Sequence, residues 1–398
     1  TFVLLLSFGA GLGSWWLARG GSQPVPAARW LLGFLALVLF QLVPLPPFLL
    51  RLLSPGSYHL YTADLLAPSG AWHPVSVSPP RTAFALVQFA GKCLLFAAVL
   101  REFRDERWRR RLAWSLVSTA LFLALEGLYQ AASATPLKIY TIFSMPEEQE
   151  WAVFGAFSGR NQFAGYMVMM APLSFGFAAE AWQDVIREWK RRPRGWLVLG
   201  ESPGSRALWR SAVAMVLAVG VFAPQSRGGL AAFVLSALLL PLAFRQRLRV
   251  LALVGFLVLA GAAWVDFGGV VHGFESRGFR ASRIDLWLDA GRMVPDFPLF
   301  GVGFGAFGPV YLYYQTFSRG LGFWNTHNDY LQIVTDTGVL GLVLAIGGFW
   351  TILRRGFRAA SQSALDAGML AALLGSMCHV FVDFDWQMPA NALTFIAL

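Results

Sequence analysis

Apolar residues occur along most of the chain in long blocks, which short polar stretches separate. A helix needs about 20 residues to cross a hydrocarbon core of about 30 Å. The block lengths therefore predict an all-α, polytopic transmembrane helix bundle, with one transmembrane domain over residues 1–398. Its eleven predicted spans are 1–18, 29–47, 82–100, 112–131, 160–181, 209–225, 229–244, 250–265, 330–352, 365–383 and 388–398.

Arginine and lysine residues concentrate in every second connection between these spans. Basic residues in short loops favour the cytoplasmic side of a membrane. The alternation therefore places five connections in the cytoplasm and starts the first span outside, so we expect an earlier span and about twelve in the full protein. The basic clusters are Arg19 with Arg29, Arg101 to Arg111, Arg187 to Arg210, Arg245 to Arg249 and Arg354 to Arg358.

The remaining connections then lie outside, and they include 48–81, 132–159 and 266–329. The last of these is about sixty residues long, far above the usual loop length, and such loops are usually functional or disordered. It is rich in Phe, Tyr and Trp, which disfavours disorder. We therefore expect residues 266–329 to form a large, ordered loop on the non-cytoplasmic side.

Composition agrees with a membrane protein. Hydrophobic residues make up 56% of the chain and charged residues only 14%, against about a quarter in soluble domains. The net charge of +10 is compatible with nucleic-acid binding, but membrane orientation explains the basic loops better. The sequence has no Cys/His cluster, so we expect no metal site.

His327 lies in the sharpest local pattern, Thr326 to Gln332, which opens the span after the long loop. Histidine is the side chain whose ordinary pKa is nearest to neutrality, so His327 is a candidate base or proton relay. The alternative is a histidine at a helix start that Asn328 or Asp329 caps. Gly338 and Gly341 share one helical face in the predicted span and favour close helix packing.

Arg227 lies in a tight outer turn, Ser226-Arg227-Gly228-Gly229, between two spans. An arginine there can extend its side chain to the membrane interface, or it can bind the phosphates of a lipid headgroup through its planar guanidinium. Arg160 opens another span on the same predicted face, and both interpretations apply to it as well.

Arg277, Arg280 and Arg283 follow one another at intervals of three on adjoining faces of one predicted helix. A solvated amphipathic helix is the alternative to an anion-binding face. The glycine-rich run Gly301 to Gly305 has no preceding strand, so we interpret it as a flexible turn rather than a phosphate-binding loop.

Lys92 and Glu126 interrupt two predicted spans. Because a charge at the centre of a bilayer costs about 2.5–3.5 kcal/mol on insertion scales, each is expected to face the bundle interior. A buried ion pair between them would suit a transporter, which stays open as an alternative function, as does a scaffold for polysaccharide export. Glu126 is also an accessory candidate for the cavity that Arg227 lines.

Taken together, these motifs resemble the bacterial O-antigen ligase and polymerase superfamily. Its ligase signature, a histidine followed by Asn, Ser or Gln and by spaced glycines, is similar to His327-Asn328 with Gly338 and Gly341. The resemblance extends over nearly the whole chain. Its other segments are Ser226 to Gly229, Arg283 ahead of Trp287, Pro298 to Phe307, Gln41 to Pro47, His379 to Asp385 and Pro389 to Ala392.

The resemblance implies an inner-membrane enzyme that takes a glycan from undecaprenyl diphosphate on the periplasmic face, without metal or cofactor. Arg227 and Arg283 would bind the diphosphate, with Arg160 as a further candidate. His327 would deprotonate the acceptor hydroxyl, with Asn328 as an accessory residue. The acceptor would be lipid A core, the end of another glycan (as in a polymerase) or a protein hydroxyl.

Overall fold

A computed structural model describes residues 25–64, 68, 70–132, 154–243, 277–317 and 322–398. The chain divides into two compact units. The first comprises Thr1–Glu102 and Ser276–Ile352, and the second comprises Phe103–Glu275 and Leu353–Leu398. Each unit is described by itself below.

The described residues are helical, with two isolated β-bridges. Short π- and 3-10-helical turns occur at Leu60–Asp64, Gly195–Gly200 and Asp385–Gln387. The α-helices in chain order are α1 (Ala28–Phe40), α2 (Pro47–Leu53), α3 (Pro55–His59), α4 (Pro79–Glu102), α5 (Glu106–Ala132), α6 (Arg160–Arg191), α7 (Ser202–Phe222), α8 (Arg227–Ala243), α9 (Arg277–Met293), α10 (Phe307–Tyr314), α11 (Asp329–Ala360), α12 (Ala364–His379) and α13 (Pro389–Ala397).

Four of these helices, α4, α5, α7 and α11, are long and apolar enough to cross a membrane. They confirm the predicted spans 82–100, 112–131, 209–225 and 330–352. Helices α1, α8 and α12 are apolar but shorter, and α6 is long but carries Gln162, Tyr166 and Pro172 within its predicted span. The predicted count of eleven is therefore not confirmed, and the spans 1–18 and 250–265 lie outside the described residues.

Helix α6 forms the centre of the second unit. Phe163, Met167 and Leu173 are fully buried there among residues of α5, α7 and α8. Its contact with α12 is close because neither helix carries a side chain at the crossing: a Cβ atom at Gly176 would lie 2.8 Å from the carbonyl oxygen of Ala364. Small residues of this kind let two helix backbones approach each other.

The first unit contains the described part of the predicted long loop. Helices α9 and α10 bury Leu286, Phe297, Phe307 and Tyr311 against one another, and Thr316 binds the buried carboxylate of Asp289 through its backbone N–H (2.8 Å) and its hydroxyl (2.9 Å). This small apolar core and its polar anchor stabilise residues 283–317 as a folded segment.

Gly301 to Gly305 form a turn, as predicted, but backbone hydrogen bonds hold this turn in place. The segment lies along the start of α11, where the amides of Val302 and Gly303 donate to the carbonyls of Thr335 and Asp336 at 2.9 and 3.1 Å. In the other direction, Val339 donates to the carbonyl of Pro298 at 2.9 Å. The loop thus supplies backbone hydrogen bonds that α11 does not make internally.

Gly338 is the reason why α11 needs these outside partners. Its backbone is not helical, with φ 65° and ψ −168°, so α11 is kinked there. A Cβ atom at Gly338 would lie 2.4 Å from the carbonyl carbon of Leu299, and one at Gly301 would lie 2.3 Å from that of Asp336. The expectation that Gly338 and Gly341 share a helical face is therefore wrong, although Gly341 does lie against Leu37 of α1.

Candidate active site

His327 lies in a turn that its neighbours hold rigidly. Its φ of 52° is in the left-handed region, which non-glycine residues rarely adopt. The hydroxyl of Thr326 donates to the carbonyl of Asn328 at 2.6 Å, and the Asn328 side-chain oxygen accepts from the amides of Tyr330 and Leu331, both at 3.1 Å. Asn328 is thus the N-cap of α11, and backbone strain of this kind is typical of functional turns.

A buried hydrogen-bond network fixes this turn to the glycine loop. The amide of Thr326 donates to the side-chain oxygen of Gln332 at 2.8 Å. The side-chain amide of Gln332 in turn donates to Asp336 at 3.1 Å, and the same carboxylate oxygen accepts from the amide of Gly305 at 3.0 Å. The position of His327 therefore depends on Asp336, which lies close to the kink of α11, and on Gly305 of the glycine loop.

Gln41 completes this network from the other end of the sequence. Its side-chain nitrogen lies 2.6 Å from the carbonyl oxygen of Phe300 and 2.9 Å from that of Asp336. Its side-chain oxygen accepts from the amide of Phe304 at 3.0 Å. From the sequence, Gln41 was named only as part of the family resemblance, and this role was not predicted. The available signal was a glutamine at the end of an apolar run.

Arg283 is half-buried on α9, one helical turn before Trp287. The indole nitrogen of Trp287 donates to the carbonyl oxygen of Thr326 at 2.8 Å. This bond joins the helix that carries Arg283 to the turn that carries His327. The backbones of Arg277 and Arg280 belong to the same helix, but their side chains lie outside the described residues.

Lys92 of α4 interacts electrostatically with Asp329, the buried first residue of α11. A cation within a predicted span therefore acts on the residue two positions after His327. The pairing of Lys92 with Glu126 stays a prediction, because the two residues belong to different units.

Arg227 is the first residue of α8 in the second unit, and it is half-buried. Gln225 precedes it with φ 52°, and the hydroxyl oxygen of Ser226 accepts from the amide of Gly229 at 3.2 Å, which caps the helix. A Cβ atom at Gly229 would lie 2.6 Å from the Cβ of Ala164. The start of α8 therefore packs against the first turns of α6, which begins at the exposed Arg160.

Glu126 lies on α5 beside the turn that leads into α6. Gln130 contacts Glu126 at 3.4 Å and accepts from the amide of Gly155 at 2.8 Å. A Cβ atom at Gly155 would lie 3.9 Å from a carboxylate oxygen of Glu126. The carboxylate is thus placed at the entry to the helix of Arg160.

A buried polar cluster at the ends of α12 and α13 was not predicted as a site. Nδ1 of His379 lies 2.6 Å from a carboxylate oxygen of Asp385, and Asp383 accepts from the side-chain amide of Gln162 at 3.1 Å. Asn391 donates to the carbonyl of Gln162 at 2.9 Å. Burial raises the pKa of the Asp385 carboxyl, and the contact with His379 opposes that shift. The signal in the sequence was a group of ionisable residues between two apolar blocks.

The predicted site residues thus form two sets. Arg283, His327 and Asn328 belong to the first unit, and Arg160, Arg227 and Glu126 belong to the second. Among the residues that the structure describes, no group of three or more His, Cys, Asp or Glu side chains is placed to hold a metal ion.

Comparison with known proteins adds one finding. A family model described as O-antigen ligase matches residues 212–346, about a third of the chain. The match contains Arg227, Arg283 and His327, and it supports a membrane glycan-processing function of the ligase and polymerase type, in a glycosyltransferase-like enzyme. No curated protein matches the chain. The chain is a multi-pass membrane protein with four described helices apolar enough to cross a membrane, and its residues 212–346 are similar to the O-antigen ligase family.

Proposed function

We propose that this protein transfers a glycan from undecaprenyl diphosphate to an acceptor hydroxyl on the periplasmic face of the bacterial inner membrane, without a metal ion. The observation that carries the proposal is the hydrogen bond from Trp287 to Thr326, which joins the helix of Arg283 to the turn of His327. Both lie in the segment that matches the O-antigen ligase model.

Arginine binds the diphosphate of the donor: Arg283 is the candidate in the first unit, and Arg227, with Arg160 as a further ligand, is the candidate in the second. A guanidinium donates two parallel hydrogen bonds to phosphate oxygens and stays charged at any physiological pH. Because the leaving group already carries two phosphates, stabilising the charge that develops on it is the main catalytic task. The half-buried position of both Arg227 and Arg283 supports this role, since a less solvated guanidinium interacts more strongly with an anion.

His327 takes the proton of the acceptor hydroxyl as the hydroxyl oxygen attacks the anomeric carbon of the donor glycan. The bond between that carbon and the diphosphate oxygen breaks, and undecaprenyl diphosphate leaves with the electron pair. Attack from the side opposite to the leaving group inverts the anomeric centre. Asn328 supports His327 by capping α11. Glu126 is an accessory residue in the second unit, which also carries Arg160 and Arg227.

The acceptor class is lipid A core, the end of another glycan or a protein hydroxyl. The second of these would make the protein a polymerase of the same superfamily. Acceptor choice depends on outer segments that carry no common motif, so it is an outcome of the experiment below.

The decisive experiment uses the purified full chain with an undecaprenyl-diphosphate-linked glycan and each acceptor class in turn, without nucleotide. We expect transfer to one class, release of undecaprenyl diphosphate, and complete loss of transfer in a folded His327→Ala variant. Wild-type product levels in that variant would refute the catalytic role of His327. Movement of the donor across a vesicle membrane without transfer, lost on neutralising Lys92 and Glu126, would identify a transporter instead.

A further inference from the structure

His379 and Asp385 form a buried pair in the second unit that the proposed chemistry does not use. Their side chains are 1% and 0% exposed, and the contact atoms, Nδ1 and a carboxylate oxygen, are 2.6 Å apart. Burying two ionisable groups costs free energy that apolar side chains of similar size would not cost. The pair therefore calls for a role beyond filling space.

The ring of His379 lies directly against the start of α8. A Cβ atom at Gly228 would lie 3.5 Å from Nε2 and 3.6 Å from Cδ2 of His379, and 2.5 Å from a methyl group of Val382. Gly228 is the residue that follows Arg227. His379 at the end of α12 thus packs on the first turn of α8, and a side chain at Gly228 would meet the methyl group of Val382 in the segment that follows α12.

Asp385 is held in turn by the start of α6. A Cβ atom at Gly165 would lie 1.9 Å from a carboxylate oxygen of Asp385, so the carboxylate lies on the bare backbone of α6. Gln162, three residues earlier, contacts both Asp383 and Asn391. The same polar cluster therefore contacts the first turns of both arginine-bearing helices, α6 with Arg160 and α8 with Arg227.

We propose that His379, oriented by Asp385, is a positioning residue that sets the first turn of α8 and thereby the Arg227 guanidinium for the diphosphate of the donor. The carboxylate fixes the orientation of the imidazole ring, as carboxylates do for histidines that bind metals. The fixed ring then supports the backbone at Gly228. The inference takes the identity of the ligand from the proposed function. The contacts of His379 with Asp385 and Gly228 do not depend on that function.

The test measures binding of undecaprenyl diphosphate to the purified full chain, together with the kcat and the donor KM of transfer. His379→Leu should weaken donor binding about tenfold or more. The reason is that a charge-assisted hydrogen bond between Arg227 and the diphosphate contributes little affinity once its geometry is lost. The acceptor KM should stay unchanged. His379→Asn keeps a donor near the position of Nδ1 and should restore most of the affinity.

A double-mutant cycle shows whether His379 acts through Arg227. In the Arg227→Ala background, His379→Leu should cause no further loss of donor binding. Equal losses in both backgrounds, or unchanged donor binding in a folded His379→Leu variant, would overturn the proposal. Ser236→Ala is the matched control, because Ser236 is buried on α8, the helix of Arg227, and donates to the carbonyl of Phe233 at 3.0 Å.

The experiment separates this proposal from the proposed function. If the wild-type chain binds undecaprenyl diphosphate but transfers nothing, the proposed function fails, and the binding cycle still decides the role of His379. If the wild-type chain binds no undecaprenyl diphosphate, both proposals fail.

Discussion

The indole nitrogen of Trp287 donates a hydrogen bond of 2.8 Å to the carbonyl oxygen of Thr326. The two residues are 39 positions apart in the chain, and each is a near neighbour of a candidate site residue: Arg283 precedes Trp287 by one helical turn, and His327 follows Thr326 directly. The bond thus sets the distance between a candidate anion-binding residue and a candidate base.

Replacing Trp287 with Phe should reduce transfer about tenfold and destabilise the protein by about 1 kcal/mol. An aromatic ring stays at this position, but the N–H donor and the five-membered ring of the indole are lost, which leaves the Thr326 carbonyl with one partner fewer. Transfer rates and thermal unfolding of the purified variant measure the two effects. Trp350→Phe is the control, because the Trp350 side chain on α11 is mostly exposed. Equal activity of the two variants would show that the Trp287 hydrogen bond has no effect on transfer.

Replacing Arg283 with Lys should abolish most of the transfer while the protein still folds. A lysine ammonium supplies the charge but not the two parallel donors of a guanidinium. Arg292→Lys tests the same change on the same helix, at an exposed arginine that pairs with Asp289 at 3.0 Å, and should leave transfer nearly unchanged. Full activity of Arg283→Lys would show that the positive charge alone is sufficient at this position.

Replacing Gly338 with Ala should destabilise the protein by roughly 2–4 kcal/mol. The residue has φ 65°, and its Cβ atom would lie 2.4 Å from backbone atoms of Leu299. Thermal unfolding in detergent measures the loss, which Gly348→Ala on the same helix should not show, because its Cβ would meet only Trp30 at 3.7 Å. A neutral Gly338→Ala variant would mean that the glycine loop separates from α11 at little cost.

Replacing Asn328 with Ala should cost about 1 kcal/mol of stability and lower transfer, whereas Asn328→Asp should keep the stability. Either Asn or Asp can accept from the amides of Tyr330 and Leu331, and Ala cannot. The comparison of unfolding temperature with transfer rate separates the capping role from any contact with substrate. Loss of transfer in Asn328→Asp at unchanged stability would indicate that the amide group itself touches substrate.

Local features of the site were predictable because they depend on neighbouring residues. A capping residue next to an apolar run marks a helix start, so the sequence already placed His327 and Asn328 before α11 and Arg227 at a tight turn. The alternative of a capped helix start proved right for Asn328. It does not compete with a role for His327, because the cap is made by its neighbour.

The kink in α11 and the form of the glycine loop were not predictable from local pattern. Gly338 has helical residues on either side, and its departure from helical geometry depends on the backbone of Leu299 and Phe300. The amide of Gln41 bonds to the carbonyl of Asp336, 295 positions away. No window of sequence contains both partners of such a contact.

By itself, the sequence determined that this is a helical membrane protein, where its long apolar helices α4, α5, α7 and α11 lie, and which short motifs open helices. These properties follow from apolar length and from capping, which are local. Only the tertiary structure decided that Trp287 reaches Thr326, that the glycine loop completes a kinked helix, and that His379 pairs with Asp385 beside Gly228. Those relationships depend on close backbone approach between distant segments, which packing of the whole unit establishes.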